Sequence, residues 1–239
     1  MLTLTIEYLK GKSKPFRYID THAGCGLYDL HGDQATRTQE WETGIGQLVN
    51  ANLNMQLAQF DVLRSFLSIV EDQNSGEDLQ FYPGSPLIAR ALLRENDRLI
   101  INELHPEDYQ LLRSNFARSK TTKVMNLDAW TFLKSTLPPP ERRGVILIDP
   151  PFEQPGEFDR MVQGLIAATK RFATGIYLLW YPIKHPQEVA RFKQSLLESG
   201  LRRLLAVEFF IAPFEAGAAL SGSGLLIHNP PFGIRDELA

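Results

Sequence analysis

A doubly wound α/β fold, with a mostly parallel sheet and a small helical insertion, is the architecture this 239-residue chain predicts. Three observations predict it. Short runs rich in β-branched and aromatic residues alternate with longer segments whose apolar residues recur at spacings of three and four. Several of the short runs end in an acid, a glycine turn or a proline pair, which stop a strand at its carboxyl end. Between about Leu30 and Gln80 the alternation gives way to helical spacing with no strand between.

Each element follows in order. MLTLTIEYLKGKSK lacks a charged start ahead of a long apolar run, so it reads as a short amphipathic helix and not as a signal peptide. FRYID (16–20) is the first strand, and THAGCG after it is a glycine-rich turn. TRTQEWETGIGQLVNANL and LAQFDVLRSFLSIVEDQN are helical, and Ser75-Gly76 closes them. They make residues 30–80 an inserted helical subdomain within a main domain of residues 1–29 and 81–239. Pro86 to Arg94 is a helix with PGS ahead of it as a cap. RLIINE (98–103) is a strand, PEDYQLLRSNF a helix, TKVMNLD (122–128) a strand, and AWTFLKSTL a helix that three prolines stop. VILID (145–149) is the next strand and Glu157 to Phe172 the next helix. TGIYLLWYP (174–182) is a strand, HPQEVARFKQSLLESG a helix and RRLLAVEFFI a strand. SGSGLLIHNPPF (221–232) supplies the last strand, and with no helix before it that strand is expected to run in reverse.

Composition narrows the class. Hydrophobic residues make up 44% and charged residues 22%, ordinary for a soluble globular protein. The single cysteine, Cys25, excludes an intramolecular disulfide framework and CxxC metal sites, and fits a reducing, cytoplasmic setting. No apolar run approaches the roughly 20 residues of a spanning helix. A net charge of −3 argues against coating nucleic acid through bulk charge. It leaves local basic pairs as candidates: Arg142-Arg143, Lys170-Arg171, Arg191 with Lys193, and Arg202-Arg203. His22, His31, His105, His185 and His228 form no HxH or HExxH, so a metal hydrolase is disfavoured.

Four strand ends carry the chemistry. After the first comes Asp20-Thr21-His22-Ala23-Gly24-Cys25-Gly26, where Gly24 and Gly26 let a ligand approach the backbone closely. A dinucleotide fingerprint would need a third glycine or alanine where Asp29 stands, which disfavours a nicotinamide enzyme. The second strand ends at Glu103, an acid placed to accept from two ribose hydroxyls. The third ends at Asp128, which can accept from an adenine amino group or cap the helix that follows. The fourth ends at Asp149-Pro150-Pro151-Phe152, a carboxylate, a rigid turn and an exposed ring at the edge where open α/β sheets bind ligands. Glycine turn, acid, acid and DPPF, in that order, is the pattern of a Rossmann-like, class I S-adenosylmethionine-dependent methyltransferase.

The residue types suit an amino target. An adenine N6 lone pair is delocalised into the ring and attacks poorly. Asp149 and the Pro150 carbonyl can accept both amino hydrogens, freeing that lone pair, and Asp149 can take the proton afterwards. Phe152 is expected to stack on a base pulled out of its helix. No metal is needed. Asn229-Pro230-Pro231-Phe232 also ends an apolar strand. It follows the point where the sheet is complete, so Asp149 is taken as the catalytic position and residues 229–232 as a wall or an echo.

The runs KPFRYIDTHAGCGLY, FYPGSPLIAR, NELHP, RRGVILIDPPF, KRFATGIYLLWYP and the closing NPPF carry a resemblance across nearly the whole chain. The chain resembles the bacterial 23S ribosomal RNA (adenine-N6)-methyltransferase RlmJ family, formerly labelled as proteins of external DNA utilisation. That resemblance implies S-adenosylmethionine contacts at His22, Ser85, Glu103 and Asp128, and catalysis at Asp149. It implies 23S rRNA as partner, free or in an early assembly intermediate, acted on by a monomer. Family members carry a further N-terminal stretch and residues beyond the position of Ala239. A chain with neither is expected to bind cofactor weakly and turn over poorly. The family often has DPPY where this chain has DPPF, and a ring without the hydroxyl still stacks. Two other readings are a DNA adenine or protein glutamine methyltransferase, and a DNA-binding protein for use of external DNA. Asp149 in place of asparagine disfavours a glutamine target, and the balanced charge weighs against the DNA-binding role.

Overall fold

The computed structural model describes residues 1–32, 35, 39, 41–53, 61–74, 78–211 and 220–238. Its strands are β1 (Arg17–Asp20), β2 (Leu27–Asp29), β3 (Phe81–Pro83), β4 (Arg98–Asn102), β5 (Thr122–Met125), β6 (Gly144–Ile148), β7 (Ile176–Ile183), β8 (Leu204–Phe210) and β9 (Gly222–His228). Its helices are α1 (Leu2–Lys10), α2 (Gln47–Leu53, entered through a π-helical turn at Glu42–Gly46), α3 (Asp61–Glu71), α4 (Ser85–Leu92), α5 (Pro106–Asn115), α6 (Ala129–Thr136), α7 (Glu157–Arg171) and α8 (Pro186–Glu198).

Seven strands form one sheet in the order β5-β4-β1-β6-β7-β9-β8. All neighbours pair in parallel except β9, which runs antiparallel to both β7 and β8. The reversal expected of the last strand is therefore present, and helices alternate with parallel strands as the apolar spacing predicts. Successive side chains of a strand point to opposite faces, so each strand feeds two cores. Ile19, Ile146, Ile148, Tyr177 and Leu179 pack beneath α6, α7 and α8 with Phe132, Met161, Leu165 and Phe192. Tyr18, Leu99, Ile101, Val145 and Leu147 pack with Ile6 and Leu9 of α1, Leu87 of α4 and Leu112 of α5.

Three details differ from the sequence reading. Glu103, Asp128 and Asp149 stand just past their strands, in the loops that follow. The helix expected from Pro86 begins at Ser85 behind an extended Gly84, with no side-chain cap. β2 and β3 were not expected at all: they form a two-stranded antiparallel ribbon of three residues each, too short for periodicity to reveal. Asn74 latches that ribbon to α3, donating to the Val70 and Phe81 carbonyls at 2.8 and 2.9 Å and accepting from the Gln80 and Phe81 amides. In sequence, α2 and α3 lie between the two ribbon strands. The Ser75-Gly76 stop and the first residues of both expected helical stretches lie outside the described residues.

Candidate active site

The carboxyl ends of β1, β6 and β7 open on a cleft of about 1110 Å³, lined among others by His22, Tyr28, Ser85, Leu147, Asp149 and Trp180. β1 delivers the glycine turn. Gly24 and Gly26 hold φ of +59° and +85°, values that disfavour any side chain. A Cβ on Gly24 would also lie 2.0 Å from the Tyr28 hydroxyl, so that ring would have to move to admit one. The Gly24 amide donates to Glu103 Oε2 at 2.8 Å, and the His105 amide to Glu103 Oε1 at 2.8 Å. Glu103 thus ties the loop after β4 to the loop after β1. Each of its oxygens keeps a second lone pair for another donor.

Asp20 is the hub beneath this turn, and it is the residue the sequence reading passed over as a site group. It is fully buried. It accepts from the Tyr18 hydroxyl at 2.5 Å, the Ser85 hydroxyl at 2.7 Å and the His22 amide at 3.3 Å. Tyr18 and Asp20 share a face because they are two apart on one strand. That alternation was the available signal. Burial pushes the Asp20 carboxyl up to about 6, and the Ser85 and Tyr18 hydroxyls hold it from rising further. Ser85 therefore sits in the first turn of α4 as a donor to Asp20, and not as a helix cap.

Asp149 lies at the cleft wall beyond β6. Its carboxylate is exposed to the cleft, with the cleft walls around it. Its carboxyl is pushed up to about 7, by loss of solvation first and by the negative charge of Asp20 second. Among the described residues no group donates a hydrogen bond to this carboxylate, in contrast to the three donors on Asp20. Its acceptor capacity is open. Pro150 is buried behind it.

His22 is half-buried in the cleft, its Nδ1 2.8 Å from the Thr21 hydroxyl. Burial drives its pKa down to about 4, and the charges of Glu157 and Asp128 offset only part of that. At neutral pH it is an uncharged hydrogen-bonding ring. Asp128 caps α6, with Oδ1 accepting from the Thr131 amide at 2.9 Å, and remains exposed. The cap reading is thus realised, with the carboxylate still open to solvent.

Phe152 departs from the exposed ring anticipated from DPPF. It is half-buried with φ +54°, its ring edge-on to Phe158 at 5.0 Å and to Trp180 at 6.2 Å. It borders a neighbouring groove of about 500 Å³ toward α8. Aromatic partners hold it, Phe158 at the start of α7 and Trp180 on the next strand, β7, and the DPPF motif itself does not announce them.

The second proline pair falls elsewhere. Because β9 is reversed, Asn229 lies beside the start of β7, at the opposite edge of the sheet from Asp149. Its side-chain amide donates to the Ala173 and Gly175 carbonyls at 2.8 and 2.9 Å. Phe232 is 93% exposed.

The sheet order, the single reversed strand and the glycine turn with acids at successive strand ends define the fold of class I S-adenosylmethionine-dependent methyltransferases. The METTL16 MTase domain shares that fold at a TM-score of 0.51 and 15% identity, over 94% of this chain and 64% of that one. Within this class the chain belongs to the family described as "Ribosomal RNA large subunit methyltransferase D, RlmJ", whose profile matches residues 13–239. It is 42% identical over 239 residues to Ribosomal RNA large subunit methyltransferase J of Escherichia coli (strain K12), covering 99% of this chain and 82% of that protein. It is 39% identical over 238 residues to the protein of the same name from Haemophilus influenzae, covering 100% of this chain and 83% of that one. The solved structure of protein LPL1258 from Legionella pneumophila matches at a TM-score of 0.89 and 32% identity, over 99% of this chain and 86% of that one.

Proposed function

We propose that this chain methylates N6 of a specific adenine in 23S rRNA, with S-adenosylmethionine as donor. The observation that carries the reading is Asp149: a carboxylate open to the cleft at the end of β6 and unclaimed by any described donor. The name that the curated relatives share supports large-subunit rRNA as the substrate class.

The residues present fit the donor. The Gly24–Gly26 turn holds positive φ without side chains at either position, which keeps its backbone free of Cβ atoms on the side of the cleft that Ala23 and Cys25 line. His22 and Ser85 stand on the cleft wall, and Glu103, bonded to the Gly24 amide, and Asp128, exposed at the start of α6, keep acceptor capacity for ribose hydroxyls and an adenine amino group. When bound, S-adenosylmethionine supplies an electrophilic methyl on a sulfonium. Asp149 and the Pro150 carbonyl accept the two amino hydrogens of the target, which returns the nitrogen lone pair to the nitrogen. A carboxylate poised near neutrality then holds the departing proton at an Asp149 oxygen. Phe152, braced by Phe158 and Trp180, faces the neighbouring groove, so stacking on the target base requires its ring to swing toward the cleft. Most of the rate comes from holding the nitrogen in line.

The test is methyl transfer from labelled S-adenosylmethionine to 23S rRNA isolated from cells lacking the enzyme, with digestion to nucleosides. N6-methyladenosine formed by the parent and lost in Asp149→Ala is the expected result. Cofactor binding with no transfer to any RNA overturns the reading.

A further inference from the structure

Past Asp149 the cleft continues across the sheet toward its β8 edge. Its floor there is formed by three strands: buried Leu178 and half-buried Trp180 of β7, half-buried Leu225 and Ser223 of β9, and half-buried Val207 and exposed Phe209 of β8. Register puts them in two rows, Trp180–Leu225–Val207 and Pro182–Ser223–Phe209. The other face of the same strands packs against α8 around Tyr181 and Glu208, while Phe210 at its β8 edge is 55% exposed. There the Tyr181 hydroxyl donates to Glu208 at 2.9 Å, and Lys193 of α8 pairs with Glu208 at 2.5 Å. Gly224 leaves the room for that ring, since a Cβ on it would lie 2.1 Å from Tyr181 Cζ. The β8 edge is thus pinned from below, while above it Phe209 is 70% exposed and Ile211, on the same face, 65%. A rigidly mounted bare ring continuous with a catalytic cleft is a site for a planar partner.

Three inter-strand steps separate β6 from β8, about 14 Å at the usual strand spacing. That is farther than one purine spans from Asp149, and it is the reach of a neighbouring nucleotide. Charge argues the same way. The net charge is −3, and the cations Lys184 and Arg191 on the other side of Asp149 share their groove with Glu153 and Glu188. That groove offers phosphate no unopposed cation, and stacking on an aromatic ring is the other way such sites hold a single strand. We infer that Phe209 is a stacking platform for the unpaired base next to the target adenine, an inference that rests on the RNA substrate proposed above.

Two measurements separate this inference from the reading it rests on. Anisotropy of a labelled single-stranded oligoribonucleotide tests the platform without requiring turnover. Phe209→Ala is expected to weaken binding about tenfold, and Phe209→Tyr, which keeps the ring, to bind within about twofold of the parent. S-adenosylmethionine affinity and melting temperature stay at parental values in both. Equal RNA binding by the parent and Phe209→Ala overturns the platform. So does a concentration-dependent dimer, seen by sedimentation without RNA, that Phe209→Ala dissolves while RNA binding persists: the face then belongs to a second copy of the chain. Methyl transfer by the parent to 23S rRNA is scored separately. Its absence sinks the substrate reading, and the binding comparison still decides whether Phe209 stacks bases.

Discussion

Asp149-Pro150-Pro151-Phe152 and Asn229-Pro230-Pro231-Phe232 are near-copies that flank the same strand. β7 pairs in parallel with β6 and antiparallel with β9, so one motif leaves the sheet at the carboxyl end of β7 and the other beside its start. At the first, a carboxylate stands open to a cleft with its proton affinity raised, and its aromatic ring is tucked against Phe158 and Trp180. At the second, the amide is spent on two backbone carbonyls and the ring is in solvent. Four residues do not make a site. The direction of the strand that ends in them decides whether they meet a ligand edge or tie down a turn.

The sharpest break of this comparison is a pair of alanine substitutions. Asp149→Ala is expected to lower kcat for methyl transfer by about 10²- to 10⁴-fold, the range for losing a positioned proton acceptor. Asn229→Ala should leave kcat per folded molecule at the parental value and lower unfolding stability by about 1–3 kcal/mol, the penalty for stranding two bonded carbonyls. Transfer assays and urea titrations read the two effects, and a kcat loss in Asn229→Ala breaks the contrast. The rings come next. Phe152→Ala should cost about 1–3 kcal/mol, less than the full penalty for a buried phenylalanine because its ring is half-buried. Phe232→Ala should stay within about 0.5 kcal/mol of the parent.

Two smaller effects sharpen the electrostatics. Activity is expected to rise with pH along an acid limb at or below about 7, as Asp149 ionises. Asp20→Asn removes the neighbouring negative charge while keeping an acceptor for Tyr18 and Ser85, so that limb should move to lower pH. A limb that stays put in the pH profile of kcat would separate the two acids. Finally, the raised carboxyls link to stability. A carboxyl whose folded pKa exceeds its unfolded value stabilises fully below about pH 4. That contribution fades as pH rises through about 6 for Asp20 and about 7 for Asp149. His22, lowered to about 4, acts oppositely, so the slope is read as a difference between proteins. Relative to the parent, Asp149→Asn should gain melting temperature between pH 5 and pH 8, as scanning calorimetry at several pH values checks.

Much of the fold was legible because its elements are periodic. The runs RLIIN, VILI and IYLLWYPI bury nearly every side chain and read as central strands. The helices between them carry three-and-four spacing, and α5 also starts on a proline. The candidate site residues that the sequence could name are those where an acid or a glycine turn coincides with a strand end: Glu103, Asp128, Asp149 and the turn at Gly24 and Gly26. Ser85 came through family resemblance only, since nothing in its own segment distinguishes a hydroxyl that caps α4 from one that donates to an acid 65 residues away. The β2–β3 ribbon left no periodic trace in three-residue strands.

By itself the sequence determined the order of strands and helices, the reversed last strand and the acids at the strand ends, all properties of neighbours along the chain. Tertiary structure decided which proline pair faces the cleft, which acid is a buried hub and which an open acceptor, and that the Phe152 ring turns inward while Phe209 stands bare. These depend on strand direction, on dielectric surroundings and on partners tens of residues away, and such quantities come into being only when the sheet closes on its helices.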